Sequence, residues 1–262
     1  MPDQPIFDAH CRLARGPDPR GRMLSTMDRW GIELAVVSGG GVIDLDTLAR
    51  QVVHGGGSTG DADNDAVLAV CESSGGRLLP SYFANPHGDP ADYLARAGEF
   101  VAVELSPAVH GVPLSDPRTA GVVAAAMTAG HSIYVVCLPR PGDTVADLVT
   151  LARGFPSARF VLGHLGTHLI DTYAIDLVSE VDNVLIETSG GFTVTLRVAV
   201  QRLGPGRLLF GTESPHQHPS VELAKYAALD LPAAAWRQIA WDNARRLYDA
   251  PVLDMINDGS GV

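Results

Sequence analysis

Eight short apolar runs, each parted from the next by an amphipathic or Ala-rich stretch, constrain this chain more than any other feature. They are Pro5 to His10, Leu34 to Ser38, Leu78 to Ala84, Val101 to Leu105, Ser132 to Cys137, Arg159 to His164, Asn183 to Thr188 and Arg207 to Thr212. A strand buried on both faces reads as a nearly continuous apolar run, and such runs alternating with helical segments read as βα units with a parallel sheet. Eight units in 262 residues predict a single-domain α/β fold, the (β/α)8 TIM barrel, whose usual length is about 250 residues.

The stretches between the runs carry helix starts and stops. Asn64 leads an apolar-periodic segment, Asp116-Pro117 opens Arg118 to Ala129, and the glycines at 75–76, 130, 154 and 204 stand just before strands. Ala233 to Asp249 is expected to be a final helix closing the barrel. No linker interrupts the pattern, so residues 1–262 read as one domain with short flexible ends, about 1–4 and 252–262. Gly39-Gly40-Gly41 and Gly55-Gly56-Gly57 lack dinucleotide or phosphate-loop spacing and are expected as flexible loop residues at the edge of a site.

With 19 basic against 30 acidic residues, a net charge of -11 and no basic cluster, nucleic acid and anionic membranes are poor partners. The sequence begins without a charged and apolar leader, and no stretch of about 18 apolar residues follows, so a cytoplasmic protein is expected. Cys11, Cys71 and Cys137 are too scattered for a disulfide framework or a CxxC zinc site.

A closed parallel barrel brings the C-terminal ends of its strands to one rim, where residues share a pocket whatever their sequence separation. The run ends supply His10 and Arg12, Ser38, Asn85, Glu104 and Ser106, Cys137, His164, Glu187 and Ser189, and Glu213. That set is too polar and too chemically able for a plain core. Among these, His164 is a rim imidazole suited to acid or base work. Cys137 next to His164 suggests either a thiolate nucleophile or an inert buried thiol. Glu104 and Glu187 require a partner if they point inward, with Arg12 and Arg140 as candidates. His216-Gln217-His218 reads as a solvent-exposed loop, Asp171 and Asp176 as a wet helix face, and His110 and His168 as loop residues near the mouth.

Four ordered motifs resemble the amidohydrolase-related superfamily. Phe7-Asp8-Ala9-His10-Cys11-Arg12 is similar to its strand-one D-x-H-x-H, and Val161-Leu162-Gly163-His164-Leu165-Gly166 to its strand-six motif. Phe210-Gly211-Thr212-Glu213-Ser214-Pro215 resembles its strand-eight F-G-S/T-D-x-P, and Trp241-Asp242-Asn243-Ala244-Arg245-Arg246-Leu247 its closing W-x-N-A-x-R-L. The resemblance implies hydrolysis or decarboxylation of a small organic substrate. It also implies a divalent ion such as Zn2+, held by two strand-one His, a strand-five His and a strand-eight Asp.

This sequence keeps His10 and His164 but puts Arg12 at the second strand-one His, Cys137 at the strand-five His and Glu213 at the Asp. Cys and Glu still ligate zinc; a guanidinium offers no lone pair. At 4 to 5 Å it repels a divalent ion by roughly 7 kcal/mol at an effective dielectric of 20, a large share of the roughly 10 to 16 kcal/mol a structural zinc site supplies. Two expectations stay open: no metal, with Arg12 pairing Glu213 across the mouth, or a weakened divalent site at His10, Cys137 and Glu213. The expected catalytic residues are His164 as acid/base, Glu213, and Arg12 as an anion clamp; His10, Cys137, Glu104 and Glu187 are expected to touch substrate. The alternative is a non-catalytic subunit. The resemblance implies a homodimer or a heterodimer with a metal-bearing paralogue.

Overall fold

Continuous apolar runs need cover on both faces, and a barrel ringed by helices provides it. The computed structural model describes residues 4–167 and 170–248. Its strands are β1 (Ile6–Arg12), β2 (Ile32–Ser38), β3 (Leu78–Phe83), β4 (Ala102–Leu105), β5 (Ser132–Val135), β6 (Arg159–Leu162), β7 (Val184–Glu187) and β8 (Leu208–Leu209). They pair in parallel in chain order, as the eight runs predict. The ladder of β8 is only two residues long. Backbone bonds from Ala9 N to Phe210 O, Glu213 N to His10 O and Arg12 N to Ser214 O bring the chain after β8 onto β1.

The helices are α1 (Pro19–Trp30), α2 (Leu45–His54), α3 (Asn64–Glu72), α4 (Pro90–Arg96), α5 (Pro107–His110), α6 (Pro117–Ala129), α7 (Val145–Gly154), α8 (Thr172–Ser179), α9 (Thr193–Leu203), α10 (Pro219–Ala227), α11 (Ala233–Arg237) and α12 (Asn243–Tyr248). Most start at an Asp or Thr whose side chain accepts an otherwise orphaned N–H, as Asp116 does from Arg118 N at α6. No described helix is long and apolar enough to cross a membrane.

Alternation along the strands sorts side chains into two cores. Ile133, Val135 and Cys137 face the helices, while Tyr134, Phe7, Ala9, Val36, Leu79 and Val161 fill the barrel interior. In β1 the register against β2 slips between Asp8 and Cys11. That bulge lets Ala9 join the interior while His10, the next residue, stacks on interior Tyr134 at 3.9 Å between ring centroids. β1 therefore runs past the expected end at His10 and carries Arg12 to the mouth.

The expected closing helix is three pieces: α11, one π-helical turn at Gln238–Asp242, and α12; Asp249 lies outside the described residues, as do most of the expected flexible ends. Trp241 and Tyr248 pack on Phe7 at the N-terminal end of the barrel. Asn243 Nδ2 donates to Pro205 O and Leu208 O, both at 2.7 Å, stitching this segment to β8. Asn243→Ala strands those two carbonyls, and we expect a loss of about 1–3 kcal/mol in urea unfolding with the m-value unchanged.

Candidate active site

Closure of β8 onto β1 sets His10, Arg12 and Glu213 side by side, and β4 delivers Glu104 beneath them. Arg12 Nε donates to Glu213 Oε1 at 2.9 Å and Nη1 to Glu104 Oε2 at 2.9 Å, with a further bond to Gly39 O. His10 bridges the same two carboxylates from its two ring nitrogens: Nε2 lies 3.0 Å from Glu104 and Nδ1 2.6 Å from Glu213. Glu104 has no exposed surface and the Glu213 side chain is 14% exposed.

Burial alone favours neutral groups here, yet the opposite charges outweigh it. Burial, and the neighbouring Arg12 charge, push the His10 imidazole down, but the Glu213 and Glu104 carboxylates together more than reverse this and lift it to about 9. Burial likewise pushes both acids up; Arg12 and His10 overcome it, holding Glu104 below its ordinary value and Glu213 well below. The four groups form a charge-balanced floor, two cations against two anions.

Beside the floor stands a second network built around Glu187, which is fully buried. It accepts from Tyr134 Oη (2.8 Å), His164 N (3.2 Å), Ser189 N (2.5 Å) and Ser189 Oγ (2.9 Å). Two glycines of the sequence motifs make room for it. A Cβ on Gly211 would lie 2.2 Å from Glu187 Oε1, and one on Gly163 2.4 Å from Tyr134 Oη. His164 and Glu213 both take left-handed backbone, φ 59° and 53°, which costs about 1–3 kcal/mol each and is held by these contacts.

Because the Ser189 hydroxyl donates to Glu187, its oxygen accepts from His164 Nδ1 at 3.0 Å. This network assigns the Nδ1–H tautomer and leaves Nε2 for the cleft. His164 is 27% exposed and lines a cleft over the barrel mouth together with Arg12, Glu213, His216 and Val136. Leu45, Leu48 and Val52, one face of α2, form its apolar wall. α2 has no buried residue and is flanked by the two glycine runs. The arrangement presents one proton-accepting nitrogen to a mostly apolar cleft with a balanced floor.

The other candidates fall elsewhere. Cys137 does not face the cleft: the two-residue period of β5 points Val136 inward and leaves Cys137 among aliphatic side chains outside the barrel, where burial holds its thiol well above the ordinary value. It does not pair with His164. Glu187 is beneath His164, not on the cleft surface, and its partners are hydroxyls and N–H groups; Arg140 instead pairs with Asp143. Arg12, expected to clamp an anion, is spent on Glu104 and Glu213. Asp171, expected in water, is buried and caps α8, while Asp176 pairs with Arg202 on the surface. His168 lies outside the described residues. His216 is exposed in the loop after β8, as expected, and its Nδ1 lies 3.4 Å from Glu213 at the cleft. Tyr134 was not singled out by the sequence, since an aromatic within an apolar run reads as core.

The donor set does not fit a divalent ion. His10 turns its two nitrogens to different carboxylates on opposite sides of the ring, and the Arg12 guanidinium stands between those carboxylates. Among the described residues no three His, Cys, Asp or Glu side chains converge as a metal site.

The amidohydrolase family profile matches residues 8–250. Among solved structures, the 5-carboxyvanillate decarboxylase of Novosphingobium aromaticivorans, complexed with manganese and 4-hydroxy-3-methoxy-5-nitrobenzoic acid, is similar at 16% identity and TM-score 0.68, over 94% of this chain and 96% of that one. A putative 2-pyrone-4,6-dicarboxylic acid hydrolase of Pseudomonas putida matches at 18% and 0.69, over 93% and 97%. A 2,6-dihydroxybenzoate decarboxylase from Rhizobium matches at 18% and 0.68, over 95% and 99%.

Two outcomes follow from the balanced floor. Glu104→Gln leaves Arg12 and His10 with one carboxylate between them, and we expect thermal and urea unfolding to show a loss of about 3–5 kcal/mol. The His10 imidazole sits above its unfolded value, so its contribution is fully present below about pH 6.5 and is lost as pH rises through about 9. Stability followed from pH 6 to 10 should therefore decline more steeply in the parent protein than in His10→Gln. Parallel curves would contradict a protonated His10.

Proposed function

The chain belongs to the amidohydrolase family, and from that premise we propose that it is an enzyme that hydrolyses or decarboxylates a small organic acid at the C-terminal rim of its barrel, without a divalent metal on the strand-one and strand-eight residues. The observation that carries this reading is the His164 imidazole, held in one tautomer by Ser189 and Glu187 with Nε2 left for the cleft.

In hydrolysis Nε2 takes the proton of the attacking water; in decarboxylation its protonated form delivers a proton to the carbon that loses carbon dioxide. Either step supplies about 10²–10⁴ in rate. Glu213, at the edge of the cleft and held as a carboxylate by Arg12 and His10, orients the water or a substrate hydroxyl. Arg12 acts through Glu213 and Glu104 and not by clamping the substrate. The named solved structures act on small carboxylated rings, and the apolar wall of this cleft suits such a body.

The test is turnover of small aryl carboxylates and cyclic esters by protein purified without a histidine tag, with and without a chelator. We expect turnover that the chelator leaves unchanged, a metal content well below one per chain, and a fall of about 10²–10⁴ in kcat/KM for His164→Asn with no change in Tm. A stoichiometric ion whose removal abolishes turnover overturns the metal-free reading. Full activity in His164→Asn overturns the acid/base assignment. An inert chain that purifies with a metal-bearing paralogue makes it a partner subunit instead.

A further inference from the structure

The cleft contains a second guanidinium whose charge no ion pair among the described residues balances. Arg15, three residues beyond Arg12, lines the same cleft as His164 and Glu213. Glu213 is the sole acid among the described residues lining it, and Glu213 is already engaged by Arg12 and His10. Arg15 itself forms no ion pair among the described residues. Its backbone is fixed by a bond from Arg22 Nη1 to Arg15 O.

The glycine run after β2 explains how the guanidinium reaches its position. Gly41 has φ +82°, and a Cβ there would stand 2.8 Å from Arg15 Nη2 and 3.4 Å from its Cζ. A side chain at 41 would both strain the backbone and push the guanidinium away. The next residues, Val42 and Ile43, continue the apolar wall with Leu48 and Val52. One unpaired cation at the edge of an apolar wall, over a floor of no net charge, selects a monoanion with an apolar body. At an effective dielectric of 20 such a contact is about fourfold stronger than in bulk water.

The geometry points to Arg15, and not Arg12, as the residue that binds the carboxylate of the ligand in this cleft, with Gly41 as the residue that makes room for it. This rests on the cleft being the substrate site proposed above, but not on turnover.

Benzoate and its neutral counterpart benzamide test the assignment by calorimetric titration at low ionic strength, where a rim charge is least screened. The parent protein should bind benzoate at least about tenfold tighter than benzamide. Arg15→Met should erase the preference while leaving benzamide affinity unchanged, Arg15→Lys should retain part of it, and Gly41→Ala, which displaces the flexible guanidinium, should weaken it with Arg15 intact. Equal affinity of the parent protein for the two probes, no binding of either, or a preference that survives Arg15→Met each overturns the assignment. If the preference depends on Arg15 yet no acid is turned over, the assignment stands and the enzyme reading falls.

Discussion

The mouth of this barrel is organised around one exchange of charge. Two carboxylates, Glu104 and Glu213, are taken out of water, and each would cost several kcal/mol if left alone. Arg12 and the protonated His10 offset that cost by contacting both acids at once. The arrangement requires strict geometry, because a guanidinium reaches two carboxylates only where the backbone sets them on either side of it. The bonds that fold the chain after β8 back onto β1, Glu213 N to His10 O and Arg12 N to Ser214 O, supply that backbone. Barrel closure and charge balance are therefore one constraint: shifting β1 by one residue would break both.

The rest of the site takes its character from this floor. With no net charge below it, the cleft is governed by what stands at its edge: the His164 imidazole, the Arg15 guanidinium and the apolar face of α2. The Glu187 network does for His164 what Arg12 does for Glu213. It accepts four hydrogen bonds, fixes the tautomer through Ser189 and holds a left-handed residue in place through the His164 N–H. Gly163 and Gly211 serve the same network by leaving out a Cβ, which gives a steric reason for two motif glycines that read only as pattern in the sequence.

All eight strands were legible because burial on both faces writes itself as apolar runs, and the rim residues followed from barrel geometry. Sidedness was harder. Cys137 ends an apolar run, yet the two-residue alternation sends it outward and Val136 inward, and only a known interior residue such as Tyr134 fixes that phase. At β1 a bulge resets the phase, so alternation counted from Phe7 would have turned His10 away from the interior. The pairing of Arg12 with Glu213 was foreseeable because both stand at ligand positions of the resembled motifs. Arg15, the approach of His216 to Glu213 and the α2 wall were not, since residues of loops and outer helices reach the cleft through backbone paths that no periodicity encodes.

A guanidinium and a divalent ion both neutralise carboxylates, but they differ in what else they do. An ion with an open position lowers the pKa of bound water to near 7 and polarises a carbonyl directly. Arg12, with its nitrogens committed to Glu104, Glu213 and Gly39 O, does neither. If the floor works as proposed, the barrier must be lowered by His164 and by the substrate itself. That favours compounds whose own structure eases the step: an ester with a good leaving group for hydrolysis, or an aryl carboxylate whose ring hydroxyl stabilises the carbon after carbon dioxide departs. On that reading, the guanidinium at position 12 narrows the chemistry of the barrel to reactions that one positioned imidazole can complete.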